Sequence, residues 1–188
     1  MQAKEFFMEE LNQFETESVK RAVENMLEEI PEYFWSIPAS STGKYHPEYT
    51  LGYGGLSRHV KAACKFLNCM LGLEYVQQKT TITMREAMRV AMLFHDSFKR
   101  GVEYSKHTQF DHPLIAGDFL LTHRQGEDFV SNVLLLASKI VKCHMGEWNR
   151  STYSDAVLPK PENFQEFLVH LADYMASRKD IQVLLPEK

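Results

Sequence analysis

"AMLFHDSFKRG" occupies residues 91–101, and its reading decides the fold. Ala91, Met92, Leu93 and Phe94 close an apolar run, and His95, Asp96 and Lys99 follow at once. The run is helical: Met84, Met88, Ala91 and His95 share one row at i, i+3 and i+4 spacings. Thr83 and Glu86 read as a capping box at its start, and Gly101 as the stop after about Lys99. A buried imidazole and carboxylate cost several kcal/mol apiece unless something opposes them. The doublet therefore asks for partners, and the rest of the chain must supply them.

Working outward, helical patterns dominate. Residues 3–30 carry Phe7, Leu11, Phe14, Val23, Met26, Leu27 and Ile30 at helical spacing up to Pro31, which reads as one N-terminal helix. Residues 31–55, "PEYFWSIPASSTGKYHPEYTLGYGG", hold three prolines and four glycines without sustained periodicity. Rich in tyrosine, they read as a long ordered loop, or lid, before a core over 56–180. In that core Leu56, Val60, Ala63, Leu67 and Met70 form one stripe. Pro113 opens a helix to about His123, Val130–His144 is strongly apolar, and Pro161 opens a last helix to about Lys179. Only "IQVLL" at 181–185 hints at a strand. The expectation is an all-α single domain of about six helices.

Composition agrees. The chain has 188 residues, 44% hydrophobic and 24% charged, with net charge −4. This suits one globular core and supplies no general basic field for long nucleic acid. No stretch approaches the length of an apolar membrane span, and no leader pattern opens the chain. Cys64, Cys69 and Cys143 form no CxxC pair and lie in apolar helical sequence, so they read as reduced core residues of a cytoplasmic protein.

The histidines are placed with more information than their number, eight, conveys. His59 continues the stripe of its helix between Leu56 and Ala63. His144 ends the row Val133, Ala137, Ile140, Val141. His112 precedes Pro113, which restricts its backbone. Asp173 shares a face with Val169 and Ala176. A lone inward histidine is ordinarily a satisfied core residue. Inward His or Asp groups near the ends of several helices are more economically explained by one shared cation charge. Four imidazoles and two carboxylates without thiolate suit Mn, Fe, Co, Ni or Zn, and six ligands suit two ions with Asp96 as the bridge.

The ordered set His59, His95-Asp96, His112, His144, Asp173 resembles the HD-domain metal-dependent phosphohydrolase superfamily. The resemblance runs from about Tyr49 to Arg178 and rests on "GGLSRHV", "FHDSFK", "DHPLIAG", "CHMGEW" and "HLADYMASR". It is nearest to the two-metal HD exoribonuclease and HD-GYP-like subgroups, but no GYP motif follows and no β-rich RNA-gripping domain precedes. Ser97 and Phe98 replace a common Ile-Gly pair, and Met145 stands where relatives often carry a second histidine. The resemblance implies two divalent ions and a metal-activated water that cleaves the phosphate ester of a nucleotide or a short nucleotide-like substrate. Asp96 and Lys99 would be catalytic, with Lys99 contacting a phosphate oxygen. Lys44, His46, Arg58, His107 and Arg178 are candidate substrate contacts. "ASSTGKY" lacks the first Gly and the Ser/Thr of a P-loop and is not read as one. His123 and His170 read as structural, His170 as a support for Asp173. The competing expectations are a 3′–5′ exonuclease, a degenerate HD nucleotide-binding signalling module, and a purely structural bundle. The Phe-rich first helix is expected to cover its own core or a second copy of the chain.

Overall fold

The computed structural model describes residues 3–40 and 42–181. Among the described residues there are nine α-helices and no strand. They are α1 (Ala3–Phe6), α2 (Met8–Leu11), α3 (Glu17–Leu27), α4 (Gly55–Leu71), α5 (Glu74–Lys79), α6 (Ile82–Phe94), α7 (His112–Thr122), α8 (Phe129–Lys142) and α9 (Phe164–Ala176). The all-α expectation holds; the count of six does not. The suspected strand at 181–185 lies, beyond Ile181, outside the described residues.

Two of the extra helices arise in the first thirty residues. The single N-terminal helix is broken twice, because Phe7 and residues 12–16 leave the helical path. At the second break the N–H groups of Glu15 and Thr16 are taken by the Glu86 carboxylate, at 2.7 and 2.8 Å. Glu86 therefore does not complete a capping box with Thr83. The start of α6 is capped by Thr81, whose hydroxyl accepts from the Met84 N–H at 3.3 Å. Phe7 and Leu11 are fully buried against the chain's own core, so the Phe-rich segment covers this molecule. Cys64 and Cys143 are buried as read, but Cys69 is exposed.

Helix α6 is the hub, packed against α4, α8 and α9, while α7 packs on α8 and brings Phe119 to 5.8 Å from the Phe94 ring of α6. Ala87, Met88, Val90, Ala91, Met92, Leu93 and Phe94 of α6 are all at most 1% exposed, so apolar burial surrounds it on every side. Where the sequence pattern ran to Lys99, the helix stops at Phe94 and the chain continues in successive turns to Gly101. The His-Asp doublet thus stands just past the end of the central helix.

Residues 28–54 contain two short 3-10 turns, Glu32–Trp35 and Glu48–Thr50. This segment is anchored to the doublet's turn. The Tyr33 hydroxyl donates to the Gly101 carbonyl at 2.6 Å and accepts from the Arg100 N–H at 3.1 Å. Gly55, the first residue of α4, packs so tightly that a Cβ there would meet the Thr50 carbonyl oxygen at 2.0 Å. That close approach sets where α4 begins, and with it the direction of His59 one turn on.

Candidate metal centre

Each candidate ligand arrives at the end of a helix or just inside one. His59 comes from the first turns of α4, and His95 and Asp96 from the turn after α6. His112 opens α7, His144 follows α8, and Asp173 lies in α9. The turn after α6 also positions His112, because the Gln109 N–H bonds to the Lys99 carbonyl at 2.9 Å and the His112 N–H to the Gln109 carbonyl at 3.2 Å. His59, His95, Asp96, His112 and His144 are all buried to 2% exposure or less.

Asp96 is central, and its two oxygens face different imidazole pairs. Oδ2 lies 3.6 Å from His59 Nε2 and 3.7 Å from His95 Nε2. Oδ1 lies 3.1 Å from His112 Nε2 and 3.9 Å from His144 Nε2. Asp173 joins the first pair, its Oδ1 being 3.0 Å from His59 Nε2 and 3.5 Å from His95 Nε2. Among the described residues, His59, His95 and Asp96 bring ligand atoms within 4.8 Å of one another, and so do Asp96, His112 and His144. Either buried group could hold a metal ion.

The protonation pattern follows from the second ring nitrogens. His95 Nδ1 faces the Met92 carbonyl at 2.7 Å, His112 Nδ1 that of Gln109 at 2.7 Å, and His144 Nδ1 that of Val141 at 2.8 Å. A carbonyl oxygen only accepts, so in all three rings the proton sits on Nδ1. In the neutral ring the Nε2 lone pair is then turned toward the Asp96 carboxylate, as a metal ligand requires. His112 and His144 accordingly turn acceptors, not donors, toward Asp96 Oδ1. His59 Nε2 and His95 Nε2 are 3.2 Å apart. His112 Nε2 and His59 Nδ1 are buried without a hydrogen-bond partner. A cluster with more lone pairs than protons fits a cation, and lone pairs of this type suit a borderline transition metal.

The electrostatics tell the same story. Burial pushes His144 down to about 3, with His95 and His112 adding to the effect, so this ring is neutral. Burial also opposes the charge on His95, yet Asp96 and Asp173 outweigh it and hold the imidazole above its ordinary value. Asp96 is disfavoured by burial, but Lys99 and His95 hold its carboxyl well below the usual range. Asp173 is held down similarly, the bonds from His59 and His95 overcoming burial.

A cavity of about 570 Å³ opens onto Asp96 and Asp173. Lys99 lines it while its ammonium rests 2.6 Å from Asp96 Oδ2. His46 lines it too, brought there because the Tyr45 carbonyl accepts from the Lys179 N–H at 2.8 Å just beyond α9. Burial, with His59 and Lys99 close by, lowers His46 to about 4. Arg178 reaches the cavity wall.

Three of the proposed substrate contacts are elsewhere. The Arg58 guanidinium donates to the carbonyls of Tyr49 at 2.6 Å and Leu51 at 3.0 Å, so it braces the loop ahead of α4. Lys44 is exposed, with its ammonium 5.0 Å from the Tyr45 ring. His107 is exposed, its N–H bonded to the Ser105 hydroxyl at 3.3 Å. None of the three is among the described residues that line the cavity.

Sequence reading missed one wall. Trp148, His170 and Tyr174 line the cavity, and His170 Nδ1 donates to the His144 carbonyl at 2.8 Å. Gly146, at φ +58°, makes this possible, since a Cβ there would lie 2.2 Å from His170 Cε1. The available signal was the i, i+4 pair His170 and Tyr174 on one face of α9 adjoining Asp173, with Arg178 following just past the helix.

Comparison of the chain with protein-family models, with curated proteins and with solved structures finds no match in any of the three.

Proposed function

We propose that this chain is an HD-type metal-dependent phosphohydrolase acting on a phosphate ester of nucleotide size. The observation that carries the reading is the two buried ligand groups that share Asp96, one on each of its oxygens. His59, His95, Asp96 and Asp173 would hold one divalent ion, and Asp96, His112 and His144 the other, from Mn, Fe, Co, Ni or Zn. Bound there, such a pair supplies Lewis acidity and a hydroxide-like nucleophile near neutral pH.

The chain's own residues do the rest. The Nδ1-to-carbonyl bonds of His95, His112 and His144 hold those rings in one tautomer and one orientation before anything binds. Lys99 presents an ammonium at the cavity wall, where it can neutralise a non-bridging phosphate oxygen. His46, uncharged at neutral pH, can accept or donate one hydrogen bond to substrate without adding charge. The cavity, about 570 Å³, matches a small ligand rather than a polymer groove.

The test is elemental analysis followed by phosphate release from a nucleotide panel with Mn- or Co-loaded protein. The expected result is up to two ions per chain and chelator-sensitive release. Protein that keeps no divalent metal through dialysis and releases no phosphate from any ester would overturn the proposal.

A further inference from the structure

We infer that Trp148 and Tyr174 form a stacking seat for a planar aromatic ring, a nucleobase, on the substrate whose phosphate enters beside Asp96; this rests on the proposed hydrolase function for the choice of substrate. Both side chains line the cavity that contains Asp96 and Asp173. They remain 44% and 37% exposed, although most of the large aromatic contacts elsewhere, such as Phe7 with Phe34, lie in the core. Apolar ring surface left open beside buried ligands has no packing reason in the free protein. A flat partner supplies one.

The seat is already assembled. The two rings are stacked, with centroids 5.7 Å apart and planes 11° from parallel. The Arg178 guanidinium lies 4.1 Å from the Tyr174 centroid and 5.6 Å from that of Trp148. Those three separations form a triangle, so the guanidinium is not sandwiched between the rings but lies over the Tyr174 ring, with Trp148 farther off. The Nε of Arg178 is buried there without a hydrogen-bond partner. On the other flank the His170 ring is 6.0 Å from Trp148 and 6.4 Å from Tyr174. Its bond to the His144 carbonyl ties the seat to a ligand residue. Rigid aromatic rings lose little entropy on binding, and stacking of one base contributes roughly 5- to 150-fold in affinity. Stacking reads the face of a ring, so the seat distinguishes a nucleotide from a sugar phosphate more sharply than one base from another.

The chain has two tryptophans. Trp35 packs against Phe6, Phe7 and Phe34, so Trp35→Phe leaves Trp148 as the sole indole reporter. Titration of that protein with adenosine should quench Trp148 fluorescence to saturation, whereas ribose should not. Adenosine has no phosphate ester, so this reading does not depend on turnover. By calorimetry, Trp148→Leu should weaken adenosine binding at least about 5-fold, and Trp148→Phe should keep it within about 3-fold of the parent. Tyr174→Leu gives an independent second loss should Trp148→Leu fail to fold. Equal binding of adenosine and ribose, or undiminished adenosine binding in both folded leucine variants, would overturn the inference. Phosphate release from AMP and ribose 5-phosphate with equal kcat/KM would likewise end it while leaving a hydrolase. Seated adenosine without phosphate release would keep the seat and end the hydrolase.

Discussion

The two ends of α6 bury charge in opposite ways. At its start, anions meet donors. Glu86 takes two backbone N–H groups on one oxygen, and Glu15 is gripped by Arg85 at 2.8 Å and Arg89 at 2.9 Å. At its far end acceptors crowd together, with the Nε2 atoms of four imidazoles and two carboxylates converging around Asp96, and Lys99 as the neighbouring ammonium. The first arrangement answers Glu86 Oε1 and both oxygens of Glu15 with donors, and Glu86 Oε2 alone is buried without a partner. The second is short of positive charge. Buried polarity by itself therefore says little about function; the balance of donors against acceptors separates a clamp from a binding site.

That contrast can be broken most severely at Asp96. Asp96→Ala is expected to remove both metal groups at once, so elemental analysis should give no bound ions and phosphate release should fall to background, with helical circular dichroism retained. Retained metal at one full equivalent would show that the groups do not depend on a shared carboxylate. Its counterpart at the other end is Glu86→Ala. Two amides lose their acceptor and a fully buried side chain is deleted, which should cost about 2–4 kcal/mol in urea unfolding without changing metal content.

A subtler sharpening uses the metal itself. Free divalent ion at about 100 times its dissociation constant should stabilise the parent protein and Glu86→Ala alike by about 2.7 kcal/mol for each ion bound, and chelator should reverse the gain. Asp96→Ala should show neither response. The smallest effect belongs to Glu15. Hydrogen bonds from Arg85 and Arg89 hold its carboxyl at about 2, against 4.5 in the absence of such partners. A depressed folded-state value stabilises above the unfolded one, so the contribution is complete above about pH 4.5 and disappears as pH falls through about 2. Because the pair is partly solvent-screened it amounts to about 1 kcal/mol. Comparison of Glu15→Gln with the parent at neutral pH and near pH 2.5 should show the difference shrink in acid.

What could be read in advance tracks how local the cause is. The apolar rows of α4, α6 and α8 and the proline at the start of α7 are properties of neighbouring residues, and they placed His59, His95, His144 and His112 correctly at helix ends. The break between α2 and α3 was not legible, because the acceptor that takes its N–H groups, Glu86, lies some 70 residues away. Arg58 was assigned to substrate for the same reason: beside a ligand in sequence, it spends its guanidinium on two loop carbonyls that only the folded chain brings near. The aromatic wall was overlooked because Trp148 and Tyr174 sit on separate segments and no single periodicity joins them. Asp173 and His170 show the intermediate case, a helix face visible in sequence whose neighbours were not.

Gly146 also governs how closely two elements approach. With no side chain, it lets the imidazole of His170 slide in under the turn that follows α8. Even a methyl group would act as a wedge, prising α9 from that turn and carrying Asp173 away from His144. The spacing across the pocket is thus gauged by an empty position, and alanine at residue 146 would be a spacer inserted between its two walls.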